Sequence, residues 1–496
     1  MKKIHQTLKK FKPNKKVTFL YFFIPIILMV LNTITLDNDI WFILNNGKYV
    51  LTNGIPKTDP FTIHNNLELV MQQWLSAVIF YKVYDWSGFV GIIILMFIAN
   101  LIIIFLSYKL CMLISNKKVY LSVIITITIN IFLSMLYLRT RPQIFDYILF
   151  LLEFYVLEQY IKKNNVKYLI ILPLISLLMI NLHATSFLLL FCFILPYIID
   201  SFKINMGFIK GEGYKKKPLI IVTIIMFLIG FINPYGINAI TYIFTSLGKG
   251  YVNNTIAEMM PLDITNPIGI TNFIIIALVI FIYMFAKKGK IKLRYFLLLI
   301  GTLYLSFQTV KGGSYFIIAS IFPIAEYLSV YFKDYDFKIR YTKKFNIQYN
   351  IILIILFIST GMLFIYNSNK YLKEPKDLKK IVNILNQKEK NEMTLYTSYY
   401  DGGYMEYKGL ITYIDARSEV FYKSNNKNED TMKEFCDLQT KDITIEQFIK
   451  KYNFTHLVVI EQDVLYEYLK NNKNYKLLYH KKNKNDYNYY LYEKIK

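Results

Sequence analysis

Asp37 and Asp39 stand two residues apart where the first long apolar run of the chain ends, just ahead of Trp41. Charge at the edge of a bilayer is costly unless water or a partner is near. Paired acids at such a place therefore mark either a plain helix end or a working site. A carboxylate there is suited to take the proton of an acceptor hydroxyl as general base. An acid pair is also of the kind that holds Mg²⁺ or Mn²⁺, although two acids establish no metal. Asp59, just before Pro60, adds a third acid to the same loop. In an extended stretch, residues two apart face the same side. That would aim 37 and 39 into one cavity, where like charges raise the pKa of one member.

Other polar groups sit at the ends of later apolar runs: "RTRPQ" (139–143), "NLHAT" (181–185), "NPYG" (233–236), "AEMMP" (257–261) and "QTVKGG" (308–313). Arg139 and Arg141, fixed by Pro142, suit a bidentate phosphate grip; their plainer use is to snorkel to lipid phosphates. His183 and Lys311 are further candidates for phosphate, and a lone membrane His also serves as a structural hydrogen-bonder. Asn233-Pro234-Tyr235-Gly236 reads first as a turn and helix stop. Glu153, mid-run, reads as an internal partner. Together, the acids and cations beside a bilayer make a site for a lipid-borne phosphate donor and a hydroxyl acceptor, with the cations stabilising the departing phosphate.

What positions these groups follows from hydropathy. Runs of roughly 20 apolar residues span a bilayer as helices, and such runs fall at about 17–36, 87–113, 119–138, 142–161, 167–182, 184–201, 218–233, 270–286, 292–308, 313–332 and 348–366. The expected architecture is thus an all-α membrane bundle of about eleven spans. The shorter amphipathic segment 71–86 is placed on the membrane surface. With a cytoplasmic start, 28 Lys and Arg before residue 367 fall on the inner side and seven on the outer. This positive-inside asymmetry orients the bundle. It puts the basic segment 1–16 in the cytoplasm, the polytopic region at 17–366 and the first outer loop at 37–86. All six polar helix ends then share the outer face.

The net charge of +24 is accounted for by that basic inner face near anionic lipid. No Lys/Arg stripe belongs to a nucleic-acid module, so no nucleic-acid partner is expected. Cys111, Cys192 and Cys436 are too scattered for a disulfide framework or a metal cluster. Residues 367–496 differ in texture. An amphipathic helix (375–388) is followed by short apolar or alternating runs at 393–398, 410–415, 455–460, 475–480 and 489–494. This alternation reads as an α/β domain, extracytoplasmic after an odd number of spans.

The stretch "DNDIWFILNNGKYVLTNGIPKTDPFT…QQWLSAVIFYKVYDWSGFVG" resembles the first outer loop of a broad group of bacterial membrane proteins with the GT-C glycosyltransferase-like fold. The residues that carry it are Asp37, Asp39, Trp41, Gly47, Gly54-Ile55-Pro56, Asp59-Pro60-Phe61-Thr62 and Trp74-Leu75. It continues through Arg141-Pro142-Gln143, Asn181-Leu182-His183, Asn233-Pro234-Tyr235-Gly236, Glu258 and "SYYDGGYMEY…LITYIDARSEVFY", nearly the full length. Phe42, Ile43 and Gln73 depart from the pattern's Trp, His and Glu. The resemblance implies a polyprenyl-phosphate sugar as donor and a catalytic carboxylate in the first outer loop, with Asp39 the first choice, then Asp37 and Asp59. Tyr399-Tyr400-Asp401-Gly402-Gly403-Tyr404 is similar to the Trp-Trp-Asp-Tyr-Gly motif of oligosaccharyltransferases, which reads the acceptor. Both Trp are Tyr here, an added Gly breaks the spacing, and a Gly-rich turn is the plainer reading.

The expectation is an integral membrane glycosyltransferase of the cell envelope. It would move a sugar from a polyprenyl-phosphate carrier to a glycan, lipid or protein, with inversion at the anomeric carbon. Trp41, Glu258 and Tyr235 would support the site, and Tyr400, Asp401 and Tyr404 would face the acceptor. Two rivals stand beside it. A lipid or polysaccharide transporter would need repeats and broken helices near mid-membrane, and no repeat is visible. A non-catalytic envelope scaffold would explain the departures from the motif.

Overall fold

The computed structural model describes residues 36–246, 258–285, 291–331, 374–389, 393–481 and 488–495, with single helical positions at 351, 355, 358 and 362. The basic start, the expected first span up to residue 35, and nearly all of the last span lie outside the described residues.

Apolar runs become helices because a helix satisfies its own backbone where no water is present. The order is α1 (Ile40–Asn53), α2 (Trp74–Ile114), α3 (Val119–Leu136), α4 (Gln143–Lys163), α5 (Ile171–Leu182), α6 (Phe187–Asp200), α7 (Lys216–Ile229), α8 (Ile237–Ser246), α9 (Pro267–Phe285), α10 (Leu293–Gln308), α11 (Gly312–Ser320) and α12 (Ile324–Tyr331). Among the described residues, four helices are long and apolar enough to cross a membrane: α2, α3, α9 and the α11–α12 stretch Gly312–Val330. The apolar helices α5, α6 and α10 are shorter. Those four are what the described residues establish of the eleven expected spans.

The bilayer-facing character is visible on α2. Val90, Ile94, Ile98, Ile102 and Phe105 form an exposed stripe at helical spacing, while Ile92, Met96, Ala99 and Ile103 are buried on the opposite face. A large apolar stripe left open in this way suits lipid as its cover. At the front of α2, Ser87 and Gly88 leave helical geometry. Gly88 has φ 61° and ψ −149°, a conformation glycine alone adopts readily. The break separates the amphipathic segment expected at 71–86 from the apolar helix behind it.

Two local expectations change. The stretch after Asp39 is helical rather than extended: Asp39 is the residue capping α1, with φ −61° and ψ −19°. And 410–415 is not a strand. Thr412 makes only single parallel bridges, to Leu395 and to Thr62 of the first loop.

The small three-stranded sheet of the bundle has β1 (Asn205–Met206), β2 (Ile209–Lys210) and β3 (Ile291–Lys292). The tail sheet has β4 (Leu395–Tyr396), β5 (His456–Ile460), β6 (Tyr475–Lys481) and β7 (Tyr489–Lys494), in the order β4-β5-β7-β6. β4 and β5 are parallel, and the other pairs are antiparallel. The helix at Ile445–Tyr452 starts with a full capping box of Thr444 and Gln447, which satisfies two otherwise orphaned backbone donors.

The tail is built into the bundle. Leu378, Ile381, Leu395, Met405, Val458 and Leu491 belong to the same apolar core as α1–α6. Leu67, Leu69 and Met71 of the first loop belong to the core of the tail. Ile63 donates its N–H to the Thr412 carbonyl at 2.8 Å, and Thr412 donates to Phe61 at 3.2 Å. The His64 ring bridges Glu429 and the Tyr413 carbonyl, each at 2.8 Å.

Candidate active site

A cavity opens between the bundle end and the tail. Its lining includes Asp39 of the α1 cap, Arg141 and Gln143 at the start of α4, His183 between α5 and α6, and Glu258 and Lys311 from facing loops. The tail contributes Tyr399, Tyr400, Arg417 and Glu419. Residues from five separate stretches of the bundle are thus brought to one place.

Backbone bonds set this arrangement. Asp37 donates its N–H to the Thr140 hydroxyl at 2.9 Å. That ties the first loop to the turn that carries Arg141. Lys311 donates its N–H to the Glu258 carbonyl at 3.2 Å, and Val310 donates to Met260 at 2.9 Å. Ala184 donates to the Gln72 carbonyl at 2.8 Å, and the Ser76 hydroxyl donates to Leu182 at 2.7 Å. The His183 turn is therefore held against the start of α2.

The carboxylates converge on one guanidinium. Arg141 Nε donates to Asp37 Oδ2 at 3.0 Å, its Nη2 stands 3.0 Å from both Asp37 and Asp39 Oδ2, and its Nη1 stands 2.5 Å from Glu258. Burial pushes the Asp39 carboxyl up to about 8. Arg141 opposes that shift, and Asp37, Glu258 and Glu419 add to it. Burial disfavours the Arg141 charge, but Asp39, Glu258 and Asp37 more than offset this and hold it above its usual range. So Arg141 is not the open phosphate grip expected of it; its fork is spent on three acids. Arg139 is not in the cavity lining, and its guanidinium donates to the Leu138 carbonyl at 3.1 Å.

Two further groups, Lys311 and His183, face the space. Lys311 makes no ion pair with a described residue. His183 gives Nδ1 to Asp146 at 2.6 Å, and the Ser186 hydroxyl donates to the same carboxylate oxygen at 2.6 Å. With Nδ1 so engaged, Nε2 is the ring atom left for a ligand. Asp146 was not among the sequence candidates. It lies in the first turn of α4, three residues after Gln143, and is fully buried. An acid inside an apolar run, five residues after Arg141, was the signal available; its pairing with His183, 37 residues on, is set by the fold.

Several candidates serve the frame and not the cavity. Asp59 is 7% exposed and is not among the cavity-lining residues. Its Oδ1 takes Arg417 Nη1 at 2.7 Å, and its Oδ2 accepts from the Thr62 backbone and hydroxyl. Arg417 also holds both Asp415 oxygens through Nε at 2.9 Å. Burial, then Asp415, pushes the nearby Glu406 carboxyl well above its usual range. This buried cluster links loop and tail. Trp41 packs edge-on against Tyr404 at 4.8 Å and Phe89 at 5.6 Å. The Tyr235 hydroxyl donates to the Pro56 carbonyl at 2.9 Å.

The Tyr-Tyr-Asp-Gly-Gly-Tyr segment divides. Tyr400 is 56% exposed and lines the cavity. Asp401 is buried, accepts from Ser398 at 2.6 Å and Tyr489 at 3.1 Å, and is pushed by burial up to about 6. Its glycines allow close packing: a Cβ on Gly402 would lie 2.0 Å from the Ile414 carbonyl, and one on Gly403 3.1 Å from the Phe42 nitrogen. Glu419 reaches the cavity beside Asp39, and no periodicity in "DARSEVF" singled it out.

The residues present do not fit a divalent cation. Among the described residues no group of three His, Cys, Asp or Glu side chains could hold a metal ion. Mg²⁺ demands oxygens at about 2.0–2.1 Å around one point, whereas Asp37, Asp39 and Glu258 are each paired with the Arg141 guanidinium.

No protein-family model matches the chain, and no curated protein matches it. Solved structures do. The archaeal oligosaccharyltransferase AglB from Archaeoglobus fulgidus, in complex with an inhibitory peptide and a dolichol-phosphate, aligns at a TM-score of 0.59 and 10% identity, over 95% of this chain and 74% of that one. A crystal structure of the Archaeoglobus fulgidus oligosaccharyltransferase tethered to an acceptor peptide with the NVT sequon aligns at 0.48 and 12% identity, over the same shares. The first of these establishes the fold, which is of the GT-C type.

Proposed function

We propose that this membrane protein is a glycosyltransferase that uses a polyprenyl-phosphate sugar as donor and works at the outer face of the cell membrane. The observation that carries the reading is the cavity where Asp39, Glu258, His183 and Lys311 meet, at the junction of bundle and tail in a GT-C fold. The relative whose structure is similar binds a lipid phosphate and a peptide. By analogy, a carrier tail would lie in lipid and its phosphate in this cavity, with the acceptor entering past Tyr400.

In the reaction, an acceptor O–H or N–H approaches the anomeric carbon opposite the phosphate. Asp39 takes the acceptor proton as the new bond to carbon forms. The carbon–oxygen bond to phosphate breaks, and its electron pair leaves on that oxygen. Lys311 stabilises the growing charge there, and His183 Nε2 faces the same oxygen as a hydrogen-bonding group. Asp146 holds the imidazole in place through Nδ1. Arg141 keeps Asp39 turned inward. The acceptor is a glycan, lipid or protein of the envelope.

The test is direct. Purified protein in detergent is given polyprenyl-phosphate sugars with a panel of envelope acceptors, and sugar release from the carrier is followed. Release that depends on Asp39 supports the reading. Carrier binding without release by any donor, and with Asp39→Asn unchanged, favours the scaffold.

A further inference from the structure

We propose that the carboxamides of Asn46, Gln143 and Gln72 seat the sugar of the donor, and that this sugar is a neutral pyranose. Asn46 Oδ1 and Gln143 Nε2 belong to residues that line the cavity; both atoms are buried and meet no hydrogen-bond partner among the described residues. Asn46 as a whole is only 3% exposed. An acceptor and a donor kept from water and left unpaired are costly, so a folded chain that keeps them beside a cavity points to a ligand that completes them. A sugar hydroxyl both donates and accepts, so two hydroxyls of one ring answer both atoms.

Local structure presets the seat. Asp39, Phe42, Ile43 and Asn46 all line the cavity, which is the i, i+3, i+4, i+7 spacing of one helix face. Asn46 therefore stands two turns of α1 beyond Asp39. Beside it, a Cβ on Gly47 would collide with the Ala77 carbonyl, so α1 is pressed onto the start of α2 at this level. Gln72, just ahead of α2, spends its Oε1 on the Thr185 N–H and hydroxyl. Those bonds tie it to the turn that carries His183. Gln143 opens α4, two residues after Arg141. All three amides belong to the bundle, as His183 and Lys311 do, whereas Tyr400 belongs to the tail. They therefore stand with the groups that receive the donor phosphate. None of the three carries charge, and Asp39, Glu258 and Glu419 line the same cavity. A sugar acid would be repelled by those carboxylates, while neutral hydroxyls match the amides.

This seat rests on the transfer reading above, but its test needs binding and no turnover. The full chain, in a detergent without a sugar headgroup, is titrated calorimetrically with geranyl phosphate and with its glucosyl, mannosyl, N-acetylglucosaminyl, glucosaminyl and glucuronyl esters. At least one neutral ester should bind about tenfold more tightly than geranyl phosphate, the size of hydrogen bonds gained by buried unpaired groups. Asn46→Ala and Gln143→Met should each remove most of that gain and leave geranyl phosphate binding unchanged. A merely structural role would weaken both probes alike. The proposal is overturned if no neutral ester gains over geranyl phosphate, if a charged ester gains most, or if the gain survives both substitutions. If one variant does not fold, the other decides. Normal binding of geranyl phosphate with no gain strikes the sugar seat alone; no binding of any probe strikes the transfer reading with it.

Discussion

Replacing Asp39 with Asn tests the chemistry most sharply. The substitution keeps size and removes the base. Arg141 should stay in place, because Asp37 and Glu258 still hold it. The lost charge-assisted bond costs about 1.5–3 kcal/mol at most. Removing a buried charge beside Asp37, Glu258 and Glu419 offsets part of that. Thermal stability should therefore shift little, while loss of general-base help lowers turnover by ~10²–10⁴-fold. The pH profile gives a second readout. A base works only when ionised, so the rate must rise with pH through the Asp39 pKa, near 8. At pH 6, two units below, only about 1% would be ionised. The sources of that shift are burial and the neighbours Asp37, Glu258 and Glu419, opposed by Arg141, so the limb is specific to this cluster. The assay is the initial rate of sugar release from a polyprenyl-phosphate donor between pH 6 and 9, at matched protein abundance. Wild-type turnover in Asp39→Asn, or a wild-type rate flat across that range, would refute the reasoning.

Three further outcomes are expected. Lys311→Met should lower turnover by ~10²–10³-fold, the usual size of one lost charge-stabilising group, without a change in melting temperature; an unchanged rate would remove Lys311 from the leaving-group side. Asp59→Ala should destabilise by about 3–5 kcal/mol, since Arg417 is left buried with one counter-ion fewer; a thermal melt in detergent that matches wild type would overturn its structural role. Lys473 is exposed in the turn before β6, so Lys473→Cys should react with an impermeant maleimide on intact cells if the tail is outside; reaction only after the cells are opened would invert the orientation.

Much of the fold was legible in the chain because hydropathy is a local property. A run of apolar residues must form a helix in lipid whatever its neighbours do, so α2, α3, α9 and the α11–α12 stretch could be read directly, as could the helix–strand alternation of the tail. The candidate residues at helix ends were legible for the same reason: charge beside an apolar run is costly wherever it occurs. Their pairings were not. Asp37 and Arg141 meet only because two loops far apart in the chain dock, as Asp59 and Arg417 do across 358 residues. Residue type alone cannot say whether an arginine is spent on carboxylates or free for phosphate. It cannot say whether an acid before a proline faces a cavity or a buried guanidinium. Those outcomes depend on burial and on which charges lie within a few ångströms, and tertiary packing alone sets both.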